Sequence, residues 1–359
     1  MRIVQIMPEF GLAGAETMCE NLTYELIKLG HNVTVVSMYD YHSAITERLE
    51  KSGVDVRYLG KKSGFDFSMI SKIKKVLIST KADAVHTHRY CAQYAAPAAI
   101  LAGVKHRVHT VHNIASKENL RAARKLNNFF FRHCAVIPVA LSPEIQRTVI
   151  DEYGISYKQV PIIFNGIDLS KCMVKTDYGI NGKFKILHIG RFSEQKNHIG
   201  LLKAFEQFNK ENPDSVLQLI GDGELKPEIE KYVLEHKLSD CVEFLGVRSD
   251  IYPFLQKADM FILPSNYEGI PMTLIEAMGS AVPIVAAAVG GVCDMLDNES
   301  ALLVSGNTEE ISNAIKELYL DADLRKSLGK AAFKKSKLFS SEIMAKKYLN
   351  VYAGEANGL

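Results

Sequence analysis

Short apolar runs alternate with amphipathic stretches through the first half of the chain. Ile3–Met7, Val33–Ser37, Val56–Tyr58 and Ala84–His86 read as strands, and helical spacing of apolar residues recurs near Glu16–Lys28, Ala44–Lys51 and Phe67–Ser79. That rhythm marks βαβ units and a parallel sheet covered on both faces. It then starts over. Beyond Asn165-Gly166-Ile167-Asp168, a loop with Asn181-Gly182 leads to strands at Phe184–Ile189, Val216–Ile220, Val242–Phe244, Met260–Leu263 and Pro283–Ala287. Helices are predicted near His198–Asn209, Lys226–His236 and Thr308–Tyr319. Two sheets imply two domains, with a linker at roughly residues 164–180. A last helix over Ser340–Tyr352 carries Ile343, Met344, Tyr348, Leu349 and Tyr352 at helical spacing.

Length and composition agree with this division. The 359 residues suit two domains of ordinary size. Hydrophobic content of 47% and charged content of 23% describe a soluble globular protein. No uncharged apolar run is long enough for a spanning helix, and the start lacks the features of a signal peptide, so a cytoplasmic location is expected. The six cysteines, Cys19, Cys91, Cys134, Cys172, Cys241 and Cys293, form no Cys-x-x-Cys pair, which predicts reduced thiols and no zinc site. A formal charge of +2 argues against nucleic acid as a partner.

One segment points to chemistry. In Tyr267-Glu268-Gly269-Ile270-Pro271-Met272-Thr273-Leu274-Ile275-Glu276-Ala277-Met278 a strand gives way to a helix, and Pro271 suits the first helical position. The free amides of a first turn, at the positive end of the helix dipole, bind anions. A diphosphate fits there. Glu268 lies just outside this helix and Glu276 about a turn and a half inside it, so two carboxylates bracket the phosphate position. Carboxylates repel phosphate but accept hydrogen bonds from paired hydroxyls. A diphosphate with hydroxyls on both sides is a nucleotide sugar.

Four segments then carry a resemblance. Gly11-Leu12-Ala13-Gly14-Ala15-Glu16, Phe164-Asn165-Gly166-Ile167-Asp168, Gly190-Arg191-Phe192-Ser193-Glu194-Gln195-Lys196 and the Glu-x7-Glu segment stand in this order along the chain. In order and approximate spacing they resemble the retaining glycosyltransferases of family four, which have the GT-B fold, over nearly the whole chain. Alone, the glycine turn at 11–16 is neither Gly-x-Gly-x-x-Gly nor a P-loop and reads as a simple turn, and Arg191 and Lys196 read as cations of a solvated loop. The resemblance assigns them roles. It implies that the Gly14 amide approaches the donor diphosphate or the acceptor, and that Arg191 and Lys196 neutralise the leaving diphosphate. Asn165, Gly269, Ile270, Met272 and Thr273 would belong to the donor site, with Glu276 on the ribose diol and Val247 or Arg248 at the base. Glu268 would hold the sugar near its reacting face, and His112 matches the histidine that contacts the transferred sugar. Many members have glycine where this chain has Pro271, whose missing N–H cannot donate to a sugar hydroxyl.

Two further clusters stand out. His86-Thr87-His88 and His109-Thr110-Val111-His112 end two predicted strands. Four imidazoles suggest zinc, but carboxylate or thiolate co-ligands at metal spacing are missing. By the resemblance His112 is catalytic; His88 is expected to line the acceptor side, and His86 and His109 to be packed or hydrogen-bonded in the scaffold. The stretch Lys117–Arg132 places Lys117, Arg121, Arg124, Lys125 and Arg132 against one acid, Glu118. Read as one helix, these cations share a face that either lies on an anionic membrane or is simply solvated.

The expected molecule is an α/β protein of GT-B type: two Rossmann-like, doubly wound parallel-sheet domains facing a cleft. Residues 1–165 would serve the acceptor, with residues 341–359 crossing back onto them, and residues 166–340 the nucleotide-sugar donor. The implied reaction moves a hexose from a nucleotide diphosphate sugar, expected to be UDP-linked, onto a glycan or lipid-linked acceptor of surface polysaccharide or glycoconjugate synthesis. Retention without an enzymic nucleophile suggests front-face attack, with the leaving phosphate taking the acceptor's proton. No cofactor or metal is expected, because Arg191, Lys196 and helix amides take the divalent cation's role. The rivals are a nucleotide-sugar epimerase, whose acid–base pairs are not visible, and a silent sugar-nucleotide-binding protein, against which Glu268, Glu276, Arg191, Lys196 and His112 speak. A nicotinamide-dependent oxidoreductase lacks its glycine fingerprint.

Overall fold

Twelve strands form two parallel sheets of one topology among the described residues, which are 1–11, 14–118 and 120–355 of a computed structural model. The first sheet comprises β1 (Arg2–Met7), β2 (Asn32–Ser37), β3 (Asp55–Tyr58), β4 (Ala84–His88), β5 (His106–Val111) and β6 (Val136–Ala140), in the order β3-β2-β1-β4-β5-β6. The second comprises β7 (Phe184–Ile189), β8 (Ser215–Ile220), β9 (Val242–Gly246), β10 (Met260–Leu263), β11 (Ile284–Ala287) and β12 (Leu302–Val304), in the order β12-β11-β10-β7-β8-β9. Each sheet is wound outward in both directions from its middle, between β1 and β4 and between β7 and β10. Such sheets bind ligands outside the carboxyl ends of the strands at that switch point.

The chain divides into two compact units, Met1–Ile167 together with the segment from Ser341, and Asp168–Ser340. Parallel strands are covered on both faces, so five of the six residues of β1 are buried, four of them apolar and the fifth Gln5, rather than alternating in and out. In the second unit Phe184, Ile186, Leu217 and Leu219 pack against Leu201 and Phe205 of helix His198–Glu211 and Ile311 and Ile315 of helix Thr308–Leu320. Helix Ser341–Ala353 belongs to the first unit: Ser341 N donates to Ile167 O, and the buried Tyr348 and Tyr352 hydroxyls bond Thr110 Oγ1 and His86 Nδ1, each at 2.7 Å.

Local expectations fail at three places. Pro271 is not the first helical residue: its ψ of 120° is extended, so it caps helix Met272–Gly279 from outside. The basic stretch is not one helix. Ala115–Glu118 forms a separate turn and Arg121–His133 a second helix, with Leu120 extended at ψ 151° before it. The break follows from Glu118, whose side chain turns inward to the His112 amide and so takes Lys117 off the face carried by Arg121 and Lys125. Asn119, and Leu12 and Ala13 of the glycine turn, lie outside the described residues. Helix Ala322–Ser336 has no counterpart in the sequence reading.

Candidate functional site

The carboxyl ends of β7 and β10 feed two loops that are stitched together. Gly190 follows β7 and donates to Ile220 O, and Phe192 N donates to Asp222 O. The approach of the next loop is close: a Cβ on Gly221 would fall 2.0 Å from Gly190 O, and Gly221 itself has φ +142°, a backbone that glycine alone holds without strain. The turn Glu194–Lys196 then meets the loop after β10, where Asn266 N donates to Gln195 O at 2.8 Å and Asn266 Nδ2 to Glu194 O at 2.7 Å.

This stitching brings Lys196 to Glu268. Lys196 Nζ lies 2.6 Å from Glu268 Oε1, and Gln195 Nε2 donates to Glu268 Oε2 at 3.2 Å. The pair is largely buried, with side-chain exposures of 14% and 4%. Gly291 closes the far side, since its N donates to Glu268 O and a Cβ there would meet Gly269 O at 2.0 Å. Arg191 is placed differently: its exposed guanidinium pairs with Glu224 at 3.0 Å.

Helix Met272–Gly279 begins beside this pair. Leu274 N and Ile275 N reach back to Pro271 O, while Met272 and Thr273 N–H donate to no group among the described residues. The Thr273 hydroxyl is buried and also unpartnered. Farther along, half-buried Glu276 has no side-chain hydrogen bond among the described residues; burial pushes its carboxyl up to about 8 against the pull of Lys171. Its charge is felt by Cys172 and Tyr252, both pushed up by burial and then by this carboxylate. Two free amides and a hydroxyl without a partner among the described residues, with the Lys196-paired Glu268 on one side and the Glu276 carboxyl on the other, can chemically take a phosphate flanked by hydroxyls. Ile270 and Met272 are buried, Val247 is exposed beyond β9, and the Arg248 guanidinium lies over the Phe254 ring.

In the first unit the strand-end histidines are held by hydrogen bonds between neighbouring strand ends. His86 Nε2 bonds Thr110 Oγ1 at 2.7 Å, and His88 Nδ1 bonds His112 Nε2 at 3.0 Å. His88 has no exposed surface, and His112 is half-buried. Burial drives all of them toward the neutral form, His109 to about 4 and His112 to about 3. Arg89, at φ +53°, pairs with Glu16 at 2.8 Å on helix Gly14–Lys28, whose first residue is the exposed Gly14. Asn165 is buried in this same unit. Among the described residues, no group of three histidine, cysteine, aspartate or glutamate side chains is arranged to hold a metal ion, and no cysteine is disulfide-bonded. Tyr252, Glu118 and the Arg89–Glu16 pair were not foreseen. The single acid in a run of five bases was the available signal for Glu118.

Comparison with known proteins gives the family. The family model for glycosyl transferases group 1 matches residues 175–335, and that for glycosyltransferase family 4 matches residues 12–171. The UDP-Gal:alpha-D-GlcNAc-diphosphoundecaprenol alpha-1,3-galactosyltransferase of Escherichia coli is 30% identical over 251 residues, which is 65% of this chain and 65% of that protein, just under two thirds of its length. The N-acetyl-alpha-D-glucosaminyl L-malate synthase of Bacillus anthracis is 27% identical over 308 residues, 80% of this chain and 79% of that one. The crystal structure of Anabaena HepE in complex with UDP and glucose superposes with a TM-score of 0.84 at 20% identity, over 98% of this chain and 99% of that one. Matches that end at residue 171 and resume at 175, and so run through both sheets, leave one assignment: the chain belongs to the group 1 glycosyltransferases of family four and has the GT-B fold.

Proposed function

We propose that the protein is a retaining hexosyltransferase that takes its sugar from a UDP-sugar and delivers it to a lipid-linked glycan of surface polysaccharide or glycoconjugate synthesis. One observation carries the donor half of this reading: the open start of helix Met272–Gly279, with Glu268–Lys196 on one side and the unpaired Glu276 on the other. The diphosphate takes the Met272 and Thr273 amides and the Lys196 ammonium, Glu276 accepts from the ribose diol, and Glu268 from the hexose. Lys196 exchanges a carboxylate partner for phosphate as charge grows on the leaving group. Retention, the sugar contact of His112 and the proton transfer to the departing phosphate come from the family resemblance. Cations and amides of the chain carry the diphosphate's charge, so no metal takes part.

A panel of nucleotide sugars incubated in the presence of a chelator should show slow hydrolysis of a UDP-hexose. Hydrolysis that appears only after magnesium or manganese is restored would overturn the metal-free reading. Glu276→Ala should weaken UDP binding by about 1–3 kcal/mol. Calorimetry with UDP alone checks this, and unchanged affinity would take Glu276 out of the ribose role.

The acceptor half rests on the E. coli relative's undecaprenol-linked substrate and on a surface. Helix Arg121–His133 exposes Leu126 and Phe129, and Leu120 precedes it, beside exposed Arg121, Lys125 and Arg132. Apolar side chains among cations suit the surface of an anionic membrane, where each cation contributes about 1 kcal/mol. Arg124 is excluded because it pairs with Glu152 at 3.0 Å. Arg121→Glu with Lys125→Glu should abolish sedimentation with anionic vesicles at low salt and leave UDP binding intact. Wild-type protein that stays in the supernatant would favour a soluble acceptor, such as the L-malate named in the B. anthracis relative.

A further inference from the structure

The turn that follows β5 hangs on one buried acid. His112 N donates to Glu118 Oε1 at 2.7 Å, and the Glu118 side chain is 5% exposed. Among the described residues its other oxygen, Oε2, is buried without a hydrogen bond, and 4.0 Å away stands His109 Nε2, also buried and also unpartnered.

Hydrogen-bond geometry decides what these two atoms are. Thr87 Oγ1 lies 3.2 Å from Val108 O, a pure acceptor, and both of the hydroxyl's contacts are hydrogen bonds only when its proton goes there. Thr87 Oγ1 must then accept at its other contact, 2.9 Å away, from His109 Nδ1–H. A neutral imidazole has one N–H, which leaves a lone pair on His109 Nε2. The reverse tautomer would set two acceptors, Thr87 Oγ1 and Val108 O, against each other with no proton between them. A lone pair facing a carboxylate oxygen 4.0 Å away with no proton between them is repulsive. Facing a carboxylic acid, it has a donor within reach after a closure of about 1 Å.

We propose that Glu118 is a positioning residue for His112 and works as a neutral carboxylic acid, its carbonyl accepting the His112 amide proton and its O–H directed at His109 Nε2. The inference rests on the reading that His112 meets the transferred sugar. Glu118's surroundings favour the neutral form. Burial raises its carboxyl to about 8, and the opposing groups are the His112 amide and the Arg89 guanidinium, which is already paired with Glu16. From helix Pro143–Tyr153 the group facing it is the Tyr153 phenol, itself pushed up to about 12 by burial and then by Glu118, with the Arg124–Glu152 pair alongside. His109 is neutral, and Lys117 precedes Glu118 on its own short helix.

Glu118→Gln keeps the carbonyl for His112 and offers an N–H to His109, whereas Glu118→Ala offers neither. Infrared difference spectra of the full-length wild type against Glu118→Gln should show a carboxylic C=O band at pH 7 that fades as pH passes about 8. Turnover of the UDP-sugar identified in the panel should fall above that pH in the wild type. In Glu118→Gln it should stay within about threefold of wild type at pH 7 and lose the alkaline fall, and in Glu118→Ala kcat should drop at least about tenfold with the donor KM little changed. Absence of the band at pH 7, or a folded Glu118→Gln as inactive as Glu118→Ala, would overturn the proposal. Full turnover in His112→Ala would instead remove the sugar-contact reading and leave the infrared result standing.

Discussion

Lys196→Ala should lower kcat by about 10²–10³-fold while changing the donor KM far less, because the lysine's contact strengthens as charge develops on the departing phosphate. The same substitution should destabilise the fold. It leaves Glu268, 4% exposed, with Gln195 as its remaining side-chain partner, and removing one member of a buried pair costs about 3–5 kcal/mol. Because Gln195 stays, the lower end is expected. The two effects separate in a double variant. Adding Glu268→Gln to Lys196→Ala removes the stranded charge, so melting temperature should recover while turnover stays well below that of Glu268→Gln alone. Turnover that recovers together with stability would show that Lys196 acts through the fold alone. Arg191→Ala should cost less in both measures, since its guanidinium is exposed and engaged with Glu224.

Stability should peak between about pH 6 and 7 and fall steeply on the acid side. Five fully buried histidines, His86, His88, His109, His188 and His198, are held below their ordinary value of 6.5, the last three at about 4, 4 and 2. The cause in each is burial, which penalises the imidazolium. The sign follows from proton counting. Below pH 6.5 the unfolded chain binds protons that the folded chain refuses, so stability is lost as pH falls, by on the order of 1–2 kcal/mol per histidine at pH 5. Glu118 and Glu276 act oppositely. Held neutral up to about 8 against an ordinary 4.5, they give a folded state that binds more protons between those values, so their part of the stability declines as pH rises through that window. Five histidines outweigh two glutamates below pH 6.5, and above it the glutamates alone remain. Denaturant midpoints measured from pH 4.5 to 9 test this, and a maximum near pH 5 would contradict it. His198→Leu should shrink the acid limb, because both ring nitrogens are buried without partners and an apolar side chain forfeits no hydrogen bond.

Local pattern was enough for the architecture. Short, mostly apolar runs that do not alternate with polar residues are buried on both faces inside a parallel sheet, so β1, β7 and β10 were legible as such, and their repeated order implied two sheets. The Glu-x7-Glu spacing around Pro271 was likewise local: a helix start sets both carboxylates relative to its own amides, whatever else surrounds them. Helix Ala322–Ser336 escaped because Lys326, Lys330 and Lys334 punctuate it and Ala331 and Ala332 give little hydrophobic contrast. The polar pairings were not legible at all. Lys196 meets Glu268 across 72 positions because β7 and β10 are neighbours in the sheet, and Tyr352 meets His86 across 266 because the last helix packs on the first unit. Periodicity reports which face of an element is buried. Strand order decides which buried polar atoms meet across a sheet, whereas the fold of the turn after β5, which periodicity does not report, brings Glu118 back onto the His112 amide six positions away.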